Sequence, residues 1–134
     1  LARMAMIHHC TWFINSLCHT YGSKTYAREL SAVDNAIMAV LTFGEGYHNF
    51  HHEFQHDYRN GVKPWQFDPT KWSIRLLEII GLTSNLRRVP NETIEIAEIR
   101  ETERRLDERL SAQKETICGK AQRLLAELHA IGVD

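Results

Sequence analysis

The sequence is short of the residues that break helices and of those that crosslink chains. Of its 134 residues only three are proline and seven are glycine, so few positions interrupt a helical pattern. The three cysteines, Cys10, Cys18 and Cys118, are odd in number, widely spaced and form no CxxC pair. That excludes a disulfide framework and a thiolate zinc ribbon, and it fits a reducing compartment. No apolar run reaches the roughly 20 residues that span a bilayer. "MAMIHHCTWFI" is interrupted by two histidines, and "AIMAVLTF" is too short. Charge of one sign is lacking too: 16 basic residues face 17 acidic ones, which leaves no basic field for nucleic acid. The chain opens on Leu1 without a charged segment and cleavage site, so no signal peptide is expected and the chain reads as a piece of a longer protein.

No alternating strand pattern runs for long, and the expected fold is all-α. A first helix is expected over Ala2 to Tyr21, stopped by Gly22. A second can start with Asp34 as N-cap and run to Gly44. "YHNFHHEF" reads as a short helix or turn, followed by an ordered loop with aromatic anchors. A further helix is expected from about Lys71 to Ile80, ending at Gly81. From Asn91 the composition becomes densely charged, which divides the chain into residues 1–90 and a tail of residues 91–134. Asn91 can cap the tail helix and Glu92 suits its positive end. Ile99, Leu106, Leu110, Ile117, Ala121, Leu124, Leu128 and Ile131 form one apolar stripe, and Gly132 is expected to end it.

Histidine, by contrast, is plentiful, with eight in the chain. His48, His51 and His52 stand at i, i+3 and i+4, on one face of any helix they occupy. Imidazoles near an unperturbed pKa of about 6.5 are mostly neutral at pH 7 and each offers one lone pair. A shared metal ion turns their crowding into coordination. Asn15 and His19 repeat the i, i+4 relation on the first helix, so His19 supplies a fourth imidazole from another element. Asn15 could ligate weakly, hold a metal-bound water, or bond within its own helix. The HExxH pattern of zinc proteases is absent. Four histidines could fill one site or form part of a larger two-metal site; spacing leaves both open.

"NSLCHTYG" followed by "GEGYHNFHHEFQHDY" resembles the C-terminal part of the membrane-bound acyl-CoA Δ9 (stearoyl-CoA) desaturases. That family carries an NSxxH element and a final box of the form GEGxHNxHHxFxxDY. The likeness extends from about Trp12 to Arg88. It implies that His19, His48, His51 and His52 are ligands of a histidine-rich centre of two iron ions, that Asn15 holds one iron through a water, and that Trp12 lines the acyl-chain tunnel. Glu45, Glu53 and Asp57 could orient the imidazole rings; His8, His9 and His56 match no family ligand. The implied fold is the end of a transmembrane helix, over residues 1 to about 14, plus a cytosolic helical cap with a long C-terminal amphipathic helix. The implied protein is an integral membrane enzyme with this segment mostly on the cytosolic face. It would insert a cis double bond into a long-chain fatty acyl-CoA or acyl-lipid, using O2 and electrons from cytochrome b5 or ferredoxin. This segment alone, with part of the ligand set, is expected to be inactive. A related di-iron hydroxylase would share HxxHH without NSxxH, and a helical interaction module would need only the tail.

Overall fold

The computed structural model describes residues 1–130, and among these the chain is helical, with isolated bridges at Asp34 and no strand. Five helices follow one another: α1 (Ala2–Leu17), α2 (Ala36–Leu41), α3 (His48–Glu53), α4 (Pro69–Ile79) and α5 (Asn91–Ala130). Two compact units result, Leu1–Glu101 and Thr102–Asp134. Among the described residues no helix is long and apolar enough to cross a membrane. α1 buries none of its residues and exposes Met4, Met6, Ile7, Trp12 and Phe13.

Several boundaries differ from expectation, each for a local reason. α1 stops at Leu17 rather than Tyr21, because Cys18 turns fully inward and its carbonyl accepts from the Val33 amide at 2.7 Å. Asn35, not Asp34, caps α2, its side chain accepting from the Met38 amide at 3.0 Å. The neighbouring Asp34 carboxylate instead accepts from the Asn49 and Phe50 amides, at 2.9 and 3.3 Å, and so serves the first turn of α3. α2 ends at Leu41, and Phe43 and Gly44 turn the chain in positive φ, at 56° and 109°. α4 starts two residues early, with Asp68 as its cap and Pro69 in the first position, where a missing N–H costs nothing. α5 begins at Asn91 itself, so Pro90 precedes the helix and its carbonyl accepts from the Thr93 and Ile94 amides. Ile131 and Gly132, expected at the end of the stripe, lie outside the described residues.

The core of the first unit is small and aromatic. Tyr26, Phe50, Phe54 and Ile94 are buried against one another, with Val62, Val89 and Ala97 packed on them. Phe50 and Phe54 lie 5.0 Å apart by ring centroids, and Tyr26 meets both edge-on. Two buried carboxylates lock the long loops around this core. Asp68 accepts from the Asn60 and Gly61 amides as well as from Lys71. Asp57 grips Arg59 and the Val89 amide, joining the segment after α3 to the one before α5.

In the second unit, the helix presents Leu106, Leu110, Ile117, Leu124, Leu125 and Leu128 to solvent. As far as residue 130 the apolar stripe expected of the tail is present, and within that unit nothing among the described residues covers it.

Candidate metal centre

α3 is only six residues long, yet three of its faces are committed. Phe50 and Phe54, one turn apart, face the aromatic core. His48 and His52, also one turn apart, are displaced from that pair by two residues, about 200° around a helix, and point away from it. Asn49 is fully buried and spends its whole amide on the segment before α2. Its Oδ1 accepts from the Tyr26 and Ala27 amides, and its Nδ2 donates to the Ala27 and Ala32 carbonyls, at 2.8 to 3.2 Å. Gly46 lets α3 approach α2, since a Cβ there would meet the Ala39 nitrogen at 2.0 Å. These contacts, with the Asp34 carboxylate at its amides, hold the helix that carries the histidines.

His19 arrives from the turn after α1, so its expected i, i+4 helical relation to Asn15 is lost. Its Nδ1 is tied to Ser31 Oγ at 2.9 Å, which leaves Nε2 facing α3. There the rings converge. The Nε2 atom of His48 lies 3.1 Å from that of His19 and 3.1 Å from that of His52. Available ligand nitrogens of all three residues fall within 4.8 Å of one another.

The donor set fits a metal ion. With bonds of about 2.1 Å, two nitrogens on one ion stand ~3.0 Å apart at a right angle and ~3.4 Å apart at a tetrahedral angle. Hydrogen bonding accounts for the arrangement less well. A ring nitrogen carries either one proton or one lone pair in its plane, so His48 Nε2 can satisfy only one of its two neighbours. Its other nitrogen, Nδ1, is buried and makes no well-formed hydrogen bond, the Glu45 backbone carbonyl acting only weakly on the ring. Burial, followed by the nearby rings of His52, His19 and His51, pushes the His48 pKa down to about 4; the Glu45 backbone carbonyl opposes this most weakly. Burial and then His19 and His51 lower His52 as well. Both rings are therefore held in the neutral form that a metal requires.

The remaining sequence candidates are placed differently. His51 stacks on His48 with centroids 6.1 Å apart and lies 5.9 Å from His52, beside the triad and not part of it. Asn15 is exposed, and its Nδ2 donates to the Thr11 carbonyl within its own helix. Trp12 is 63% exposed and meets His9 edge-on at 5.7 Å. It lies outside the apolar groove of about 470 Å³ that Met6, His9, Cys10, Phe13, Met38 and Leu41 form between α1 and α2. Two carboxylates expected near the rings work elsewhere: Glu45 accepts from Asn60 Nδ2 at 2.8 Å, and Asp57 is occupied by Arg59 and Val89. Glu53 is exposed. Ser31, which positions the His19 ring, carries no local sequence signal beyond its polarity, whereas Asn49 is a fixed letter of the last histidine box whose role in holding α3 the spacing did not reveal.

No protein-family model matches the chain. Curated proteins do. The chain is 42% identical over 107 residues to acyl-CoA desaturase 1 of Saccharomyces cerevisiae, a match covering 80% of this chain and 21% of that protein. A probable acyl-CoA desaturase of Schizosaccharomyces pombe is 38% identical over 107 residues, again 80% of this chain and 22% of the relative. The sn-1 stearoyl-lipid 9-desaturase of Anabaena variabilis is 41% identical over 85 residues, 63% of this chain and 31% of that protein. The chain is a homologue of the acyl-CoA desaturases. It spans between a fifth and a third of the length of these desaturases. The desaturase homology thus agrees with the resemblance read from NSxxH and the last histidine box.

Proposed function

We infer that this chain is the C-terminal part of a fatty acyl desaturase, an oxidoreductase, and that His19, His48 and His52 hold one of its two iron ions. The observation that carries this reading is the convergence of three Nε2 atoms, with His48 at 3.1 Å from both partners, in a desaturase homologue. His51, whose ring lies 6.1 Å from that of His48 on the same helix, would serve the second iron. Asn15, two residues before the end of α1, would hold a water on that pair once its amide leaves the Thr11 carbonyl, and Trp12 would line the acyl-chain path.

Bound iron supplies O2-dependent removal of hydrogen from unactivated methylenes, which no side chain can perform. The residues of this chain bind and orient. Ser31 fixes the His19 ring through Nδ1, and in the tautomer whose Nδ1–H donates to Ser31 Oγ the lone pair on Nε2 faces the site. His48, which is buried, and His52, which is half-buried, are both pushed toward the neutral form by desolvation and by the neighbouring imidazoles. Asn49 and Asp34 hold α3 against the segment that carries Ser31. Three or four imidazoles cannot fix two irons, so this stretch alone is expected to be inactive.

The substrate in this reading is a long-chain acyl-CoA or acyl-lipid, the product a cis double bond at C9, the co-substrate O2, and the electron donor cytochrome b5 or ferredoxin. The whole protein would be membrane-embedded, with this segment on the cytosolic face. Expression of the complete protein in a host lacking its own desaturase tests this: a 9-monoene should appear in the fatty acids. A hydroxy acid instead, or an unchanged profile with the protein present, would refute it.

A further inference from the structure

α4 is attached to the first unit by its polar first turn. Its cap, Asp68, is fully buried and accepts from the Asn60, Gly61 and Lys71 amides. Thr70 Oγ1 donates to the Phe43 carbonyl at 3.0 Å, and Lys71 Nζ donates to the Gly61 carbonyl at 2.6 Å. What the helix turns to solvent is apolar. Trp72, Leu76, Ile79 and Ile80 stand at i, i+4, i+7 and i+8, one stripe of an α-helix, and are 50%, 59%, 69% and 58% exposed. Trp65 before the helix and Leu82 after it are exposed as well. None of the residues of α4 is buried. A helix that faces water shows the opposite order, polar side outward. An outward apolar stripe with aromatic residues at its margin is the mark of a surface that meets something other than water.

We propose that this stripe lies on an anionic bilayer surface, with α4 in the plane of the interface. The charge around the helix favours that occupant. Lys71 and Arg75, four residues apart, run along one edge of the stripe. There their stems can follow the apolar surface while their charges reach lipid headgroups. Residues 54–90, the whole stretch between α3 and α5, hold six of the 16 basic residues of the chain and three of its 17 acidic ones. Two of those three, Asp57 and Asp68, are buried and committed to partners within the unit. That leaves Glu78, which pairs with Arg75, as the acidic group near the surface of this stretch. The rest of the chain is acidic on balance, so the basic excess is local to the apolar helix.

A bilayer interface accommodates all three features together. The aliphatic stripe enters the acyl boundary, the indoles of Trp65 and Trp72 sit at headgroup level, and the basic edge meets anionic phosphates. The proposal rests on the membrane reading of the whole protein for its leaflet, the cytosolic one. It adds a contact that transmembrane helices do not supply.

Vesicle flotation of the 134-residue chain tests it, with phosphatidylcholine alone and with about 30% phosphatidylserine added. The chain should float with the mixed vesicles and bind them roughly fivefold or more tightly than the neutral ones. Leu76→Glu/Ile79→Glu changes only the exposed stripe. It should keep the far-UV circular dichroism and weaken binding to mixed vesicles roughly tenfold or more. A chain that binds neither vesicle, or both equally, overturns the proposal. Binding indifferent to the double variant overturns it too, because the contact would then lie elsewhere, as on α1. A second measurement uses the complete protein reconstituted in the mixed vesicles, with a fluorophore on Leu76→Cys and other reactive cysteines removed. Brominated acyl chains should quench this label, and aqueous iodide should not. A label shielded from both would mean that protein covers the stripe, and a label open to iodide that nothing does; either result overturns the proposal. The fatty-acid profile of the complete protein decides the desaturase reading separately, so each can fail without the other.

Discussion

Asn49 lies between two histidines of the last box and touches neither ring; it satisfies four backbone groups of a segment more than 15 residues away in sequence. Replacing it with Ala leaves two amides and two carbonyls without partners in a buried place, where each orphan costs ~1–3 kcal/mol. Asn49→Ala should therefore lower stability by at least ~3 kcal/mol in urea unfolding. Asp57 gives a pH signature of its own. Burial opposes its charge, but the Arg59 side chain, the Arg59 amide and the Val89 amide outweigh burial and hold its pKa below the usual carboxylate value. A depressed folded pKa gives stability that is complete above the unfolded value, about 4, and is lost as pH falls through the folded one. Thermal unfolding below pH 4 should thus be less pH-dependent in Asp57→Asn than in the unchanged chain, and equal acid slopes would show that Asp57 carries no such load.

At the scale of elements, the short-range signals read well and the long-range ones did not. The existence of four helices follows from apolar spacing and from Gly and Pro at their margins. α3 was read only as a short helix or turn; the structure shows a helix on which Phe50–Phe54 and His48–His52 repeat at one turn on opposite faces. Asp34 was misread as the cap of α2. Asn35 beside it wins the local cap, and Asp34 is free to serve α3, a choice fixed by packing across 15 residues and invisible to a local rule. The end of α1 was missed for a similar reason, since burial of Cys18 overrides a helical pattern that Gly22 would otherwise have ended. His19, His48 and His52 were all named by spacing, but spacing could not say that three converge while His51 stands beside them. Two glycines sharpen the point. Gly46→Ala places a methyl against the α2 backbone and should strongly destabilise the first unit, seen as a lowered melting temperature. Gly119 has open space around it, so Gly119→Ala should raise the stability of the tail helix by about 0.5–1 kcal/mol, measured by circular dichroism.

For the molecule as a whole, a small aromatic core and two buried carboxylates hold a short helix in place, and that helix carries imidazoles of no structural use to the core. His48 is the centre of this arrangement: buried, pressed toward neutrality, with one nitrogen shared between two neighbours and the other making no well-formed hydrogen bond. A metal ion at the converging Nε2 atoms would account for their close approach and for the neutral rings, and the proposed desaturase function makes iron the ion to test. The most direct test is the iron content of the complete purified protein, unchanged and as His48→Ala, with folding checked by circular dichroism. The unchanged protein should hold about two irons per chain, and the variant should lose at least one together with all desaturated product. Equal iron content and equal product in a folded His48→Ala protein would contradict the assignment of this cluster as the metal centre.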